Sequence, residues 1–220
     1  MFRVRKVITG PLQENCYIVF DEKKSECVVI DPGDEGEKIE KEILSISRNA
    51  TLRYILLTHC HFDHIGALRY LKENLGGEIL MHRNELGLLE NANLVASYFG
   101  FQIDEPPPPD RFIDDGEEIT LWDNVFIRAI FVPGHSPGGI AYLFVVQEKE
   151  KRDYHLFTGD ILFAGSVGRT DLPGGNWDAL ITGIKTKLLT LPPDTIVYPG
   201  HGPETTIARE KLTNPFLIYY

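Results

Sequence analysis

Short apolar runs recur at residues 2–8, 15–20 and 26–30, the first of them alternating with basic positions, and each run predicts a strand. The third run stops at Asp31-Pro32-Gly33, a turn-forming triplet. The period then changes. Ile39, Ile43, Leu44 and Ile46 fall close to helical spacing with charges opposite them, which predicts a helix over 37–47 leading into a buried strand at 54–57. A helix at 66–74 closes on Gly76-Gly77, residues 78–81 predict a strand, and 83–91 predict a further helix.

The prolines at 106–109 cannot donate backbone hydrogen bonds and exclude both helix and central strand there. Strands are predicted beyond them at 118–121, 125–132, 140–146 and 155–157, then a helix at 177–189, a strand at 195–198 and a last helix at 205–213. Strands precede helices in both halves, so the expected fold class is α/β, an αββα sandwich of two mixed sheets with helices outside. The proline run is taken as a connection within one domain, residues 1–220.

Composition adds exclusions. The formal charge of −10 repels phosphate backbones and anionic lipid surfaces, so neither nucleic acid nor a membrane is an expected partner. The longest apolar run, residues 140–146, is far short of the roughly 18 to 20 residues that cross a bilayer. Residues 1–10 alternate basic and apolar positions and read as a strand, not a leader. Cys16, Cys27 and Cys60 form no C-x-x-C pair, so neither a disulfide framework nor a cysteine zinc site is indicated, and a cytoplasmic location is expected.

The chemistry concentrates at Thr58-His59-Cys60-His61-Phe62-Asp63-His64-Ile65-Gly66, between a predicted strand and a predicted helix. The chain's own content of histidine and aspartate makes that spacing roughly a 4-in-10,000 coincidence. Strand alternation puts His59 and His61 on one side, where two imidazoles grip one metal, while Asp63 and His64 turn toward a neighbouring position. Cys60 then points away and is assigned a structural role. Zinc-like ions take about four to five ligands, so the rest of the chain must supply more. His135, Asp160 and His201 qualify, because each follows a predicted strand and a glycine that lets the backbone turn sharply. His82 and His155 sit in no such loop and are assigned no role.

This constellation resembles the metallo-β-lactamase fold superfamily, in the H-x-H-x-D-H run and the order of His135, Asp160 and His201. Within it, Gly134-His135-Ser136-Pro137-Gly138 and Phe157-Thr158-Gly159-Asp160-Ile161-Leu162-Phe163 are similar to the glyoxalase II group, which hydrolyses hydroxyacylglutathione thioesters. The resemblance implies two divalent metal ions, zinc first with iron or manganese as alternatives. His59, His61 and His135 would hold one, Asp63, His64 and His201 the other, and Asp160 would bridge. It further implies a small-molecule thioester substrate, a metal-bridging hydroxide oriented by Asp63, and a substrate contact at Arg169. With 19 residues after His201, the helical glutathione-binding domain of glyoxalase II is not expected here. Gly168-Arg169-Thr170-Asp171 also resembles the persulfide dioxygenase branch, in which one iron would sit on His59, His135 and Asp160.

Overall fold

The computed structural model describes residues 2–219; Met1 and Tyr220, the outermost positions of the expected domain, lie outside the described residues. The chain divides into two compact units, Met1–Phe112 and Ile113–Tyr220, with the break just after the proline run.

The first unit is a six-stranded mixed sheet in the order β1-β2-β3-β4-β5-β6. Antiparallel β1 (Phe2–Thr9), β2 (Glu14–Asp21) and β3 (Glu26–Ile30) precede parallel β4 (Thr51–Leu56), β5 (Glu78–Met81) and β6 (Arg111–Phe112). Helix α1 (Gly36–Ile46) buries Ile39 and Ile43, one turn apart, in a core with Ile18, Val29, Ile55 and Leu68. Leu44, counted on the apolar face by its spacing, is left exposed. The helix predicted at 66–74 starts earlier, as α2 (Phe62–Ile65) followed by α3 (Leu68–Leu75), so the histidine motif itself runs into helix. The one predicted at 83–91 is a 3₁₀ turn, Arg83–Glu85, then α4 (Leu86–Glu90), and α5 (Ala92–Tyr98) follows where no helix was predicted.

The second unit is also a six-stranded mixed sheet, in the order β14-β13-β10-β9-β8-β7. Strands β7 (Glu118–Trp122), β8 (Val125–Phe131), β9 (Ile140–Glu148) and β10 (Lys151–Gly159) form an antiparallel meander. A small hairpin of β11 (Leu162–Phe163) and β12 (Ser166–Val167) leads to α6 (Trp177–Gly183), which runs into a π-helical turn at Ile184–Leu188. Then β13 (Ile196–Pro199) pairs parallel to β10, and β14 (Thr205–Thr206), α7 (Ile207–Thr213) and α8 (Pro215–Ile218) complete the unit. The core gathers Val132, Leu143, Leu156, Leu180, Ile184, Val197 and Ile207. Among the described residues no helix is long and apolar enough to cross a membrane.

His155 stands inside β10 with Nδ1 3.0 Å from the Tyr198 hydroxyl and its ring stacked on Tyr198, a structural placement. Burial holds its pKa below the ordinary 6.5, against a weaker upward pull from Asp153. A buried neutral histidine stabilises the fold above that ordinary value, and the contribution is lost as pH falls through the depressed one. The melting temperature is therefore expected to fall more steeply between pH 7.5 and 5.5 in the wild type than in His155→Phe, read by calorimetry across the range. Parallel curves would contradict it.

Candidate metal centre

In the first unit the parallel pairing of β3 with β4 sets Asp31 and Thr58, which follow those strands, side by side. Thr58 donates twice to the buried Asp31 carboxylate, from its backbone N–H at 2.7 Å and from its hydroxyl at 2.6 Å. That single hydroxyl proton is then spent, so the contact of 3.0 Å between Thr58 Oγ1 and His59 Nδ1 has the imidazole as donor. His64 Nδ1, 3.1 Å from Asp31 Oδ2, is likewise a donor, since a carboxylate only accepts. Both histidines therefore carry their proton on Nδ1 and present the Nε2 lone pair, the form in which a histidine binds metal.

The rings cluster. His59 lies 4.7 Å from His61 and 4.1 Å from His64 between centroids, and His64 Nε2 is 3.9 Å from Asp63 Oδ2. His59 and His64 are buried, whereas His61 and Asp63 are partly exposed. Cys60 between them is buried in the core with Sγ 3.6 Å from Met81 Sδ, and burial pushes its thiol pKa well up, which agrees with a structural role.

In the second unit β8, β10 and β13 run in the same direction, so the loops that follow them leave one end of the sheet and carry His135, Asp160 and His201 together. His135 Nε2 is 3.6 Å from Asp160 Oδ2, and His201 Nε2 is 3.8 Å from Asp160 Oδ1. One carboxylate thus offers a different oxygen to each histidine, the disposition a bridging ligand needs. His135 Nδ1 faces the carbonyl of Arg169 at 2.9 Å, which makes it a donor and leaves Nε2 for a metal. The predicted sharp turns occur at Gly134 (φ +130°) and Gly159 (φ +48°), while near His201 the left-handed residue is Gly202 (φ +77°), after the histidine.

The Arg169 guanidinium, expected to meet substrate, is held by both carboxylate oxygens of Asp171 at 2.7 Å. That pairing pulls the Asp171 carboxyl down to about 2. His82 caps the turn at Arg83–Glu85, accepting from Asn84 N, as suits a residue with no assigned role.

The buried acids that fix these loops were not anticipated as a group. Glu85 accepts from the Cys60 backbone N–H at 2.8 Å, inside the histidine motif. Glu210 accepts from Thr205 Oγ1, Gly165 N and Asn214 Nδ2 at 2.6 to 2.8 Å, and so ties the segment after His201 to the hairpin after Asp160. Asp31 was read only as a turn residue; the signal was its place at the end of a strand parallel to the one that enters the motif. Asp31→Ala strands the Thr58 N–H and unsettles the His64 tautomer. It is expected to cost on the order of 3 kcal/mol in urea unfolding of the metal-free protein, and to weaken metal binding about 10- to 100-fold in competition with a chelator.

Carboxylates and imidazoles that hold their proton on Nδ1 and offer Nε2 suit zinc, iron or manganese better than calcium or magnesium, which favour all-oxygen ligands. The family model described as the metallo-β-lactamase superfamily matches residues 9–201. Hydroxyacylglutathione hydrolase GloC of Haemophilus influenzae is 40% identical over 206 residues, 93% of each chain. A solved structure of TTHA1623 in a di-iron-bound form is 44% identical with a TM-score of 0.81, covering 97% of this chain and all of that one. A structure of the BLEG-1 B3 metallo-β-lactamase is 36% identical with a TM-score of 0.86, covering 98% of this chain and all of that one.

Proposed function

We propose that this chain, which belongs to the metallo-β-lactamase superfamily and is a metallo-hydrolase by that membership, hydrolyses hydroxyacylglutathione-type thioesters at a dinuclear centre. One observation carries the reading: three histidines are turned by their acceptors to present Nε2, and the third of them, with His201, flanks the two oxygens of Asp160. His59, His61 and His135 would hold one cation, Asp63, His64 and His201 the other, and Asp160 both. Such residues suit zinc, and the di-iron form of a relative at 44% identity supports iron equally. The reading treats residues 1–220 as one functional domain acting on a small molecule, and a cytoplasmic location goes with its three free, buried cysteines.

When bound, the cations supply a water acidified toward neutral pH and a Lewis acid for the thioester carbonyl. Asp63 orients the attacking water and receives its proton on a carboxylate oxygen. Asp31, through Thr58 and His64, keeps the imidazole protons on Nδ1 throughout. Water adds to the carbonyl carbon, the C–S bond breaks, and the thiolate leaves as such, so no general acid is required. Arg169 would exchange Asp171 for a carboxylate of the thiol carrier.

A second reading, a mononuclear-iron persulfide dioxygenase, rests on the Gly168-Arg169-Thr170-Asp171 segment, whose arginine and aspartate are paired in the structure. Titration of metal-free protein separates the two. The thioesterase reading expects thiol release to climb until about two equivalents of metal are added. Oxygen uptake on glutathione persulfide, saturating at about one equivalent of iron with no thioester cleavage, would replace it.

A further inference from the structure

Three segments of the second unit, 132–139, 160–176 and 200–204, carry His135, Asp160 and His201, and Arg169 is the sole lysine or arginine in them. Its backbone is part of the metal centre. The Arg169 carbonyl accepts from His135 Nδ1 at 2.9 Å, and Gly168 before it packs so closely on the Asp160 carbonyl that a Cβ would overlap it. The side chain leaves that backbone for solvent, 59% exposed, and its partner Asp171 is 68% exposed. Asp171 spans the Nε and Nη2 edge of the guanidinium with both oxygens at 2.7 Å, the fork geometry in which arginine takes the carboxylate of a ligand. A side chain of the protein's own thus neutralises this cation before any substrate arrives.

We propose that Asp171 is a specificity-determining residue: it competes with the carboxylates of the thiol carrier for Arg169, so that the enzyme does not select carriers by their negative charge. The inference rests on the thioester reading above and deepens it. Glutathione thioesters remain substrates, recognised at the thioester, and thioesters of carriers without a carboxylate are accepted as well. A carrier carboxylate that binds Arg169 replaces one exposed ion pair by another of the same kind, and such pairs contribute little to begin with, so the exchange leaves almost no net gain. Without Asp171 the same carboxylate meets an unpaired guanidinium, and the whole of the new pair counts toward binding. An exposed pair of this kind is felt as about a threefold to fivefold change, and salt screens it.

The test compares S-D-lactoylglutathione with its diethyl ester, the same skeleton without carboxylate charge, on the metal-loaded full chain. The wild type is expected to show no preference in kcat/KM for the acid over the ester. Asp171→Asn keeps the size of the side chain and removes its charge. In that variant the acid-to-ester ratio is expected to rise about threefold to fivefold, through KM rather than kcat, and the rise to fade between about 20 and 300 mM salt. Calorimetric binding of the unreactive thioether S-methylglutathione should tighten by the same factor, and Arg169→Gln added to Asp171→Asn should remove both gains. Because each preference is a ratio within one protein, a loss of folded enzyme does not mimic it. A wild type that prefers the acid, with the preference lost in Asp171→Asn, would show Asp171 orienting Arg169 for the substrate and would overturn the competition. A ratio that Asp171→Asn leaves unchanged would overturn it too, and both results leave the thioesterase reading in place. Cleavage of neither thioester would overturn the two together.

Discussion

Asp63→Asn is expected to lower kcat about 10²- to 10⁴-fold at saturating metal, the range over which removal of a positioned proton acceptor is felt. Asparagine has nearly the same size and one oxygen in place, so packing in α2 is kept while the negative charge and the proton-accepting oxygen are lost. Asp63 is partly exposed and 3.9 Å from His64 Nε2, which places it at the accessible side of the histidine cluster, where on the thioesterase reading water and substrate would arrive. The expected signature is a fall in kcat with KM for the thioester little changed, since the carboxylate acts on the attacking water. Metal content measured on the same preparation separates this from simple loss of an ion. An Asn variant with full metal and full turnover would remove Asp63 from the chemistry.

Asp160→Ala is expected to have a comparably large effect by a different route. Its two oxygens stand at 3.6 Å from His135 and 3.8 Å from His201, so its removal takes from both histidines a shared carboxylate that would offset the charge of bound cations. Metal content by elemental analysis is expected to drop from about two equivalents to one or fewer, and activity to fall at least about 10³-fold. The loss of metal should persist after prolonged incubation with excess zinc. Unchanged stoichiometry would show that Asp160 bridges nothing. Glu210 separates this from loop collapse, because it anchors the neighbouring hairpin through Gly165 and leaves Asp160 itself intact. Glu210→Gln should lower the melting temperature more than it lowers metal content.

Much of this was legible in the residue pattern. The strand runs at 2–8, 15–20 and 26–30 became β1, β2 and β3, because short apolar runs bounded by turn residues are local signals. The motif from His59 to His64 could be read because ligand spacing is itself local, and the strand-then-loop context of His135, Asp160 and His201 recurs three times. Helix boundaries were less legible. Helix α2 begins at Phe62, inside the motif, and Gly33 packs so closely on the backbone of Asp63 that only a residue without Cβ fits there, a tertiary fact that no propensity reveals. Helix α5 carries Asn93 and Ser97, has no charged residue and lacks a side-chain cap, so its helicity comes from packing, with Ala92 and Ala96 buried.

The supporting acids were the least legible. Asp31 meets Thr58 across a separation of 27 residues, and Glu210 meets Gly165 across 45, so nothing near either in the chain marks it as a partner. The role of Asp31 follows from the parallel pairing of β3 with β4, and that of Glu210 from the hydrogen bond between α7 and the hairpin of β11 and β12.

The most direct measurement is thiol release from S-D-lactoylglutathione, followed with a thiol reagent, by protein purified without chelator and by the same protein after EDTA treatment and after re-addition of zinc or iron. The account predicts kcat/KM of about 10⁴ M⁻¹s⁻¹ or more, abolished by the chelator and restored by metal. Turnover that survives complete metal removal, or absence of any thioester cleavage by a fully metallated sample that opens a β-lactam ring, would contradict it.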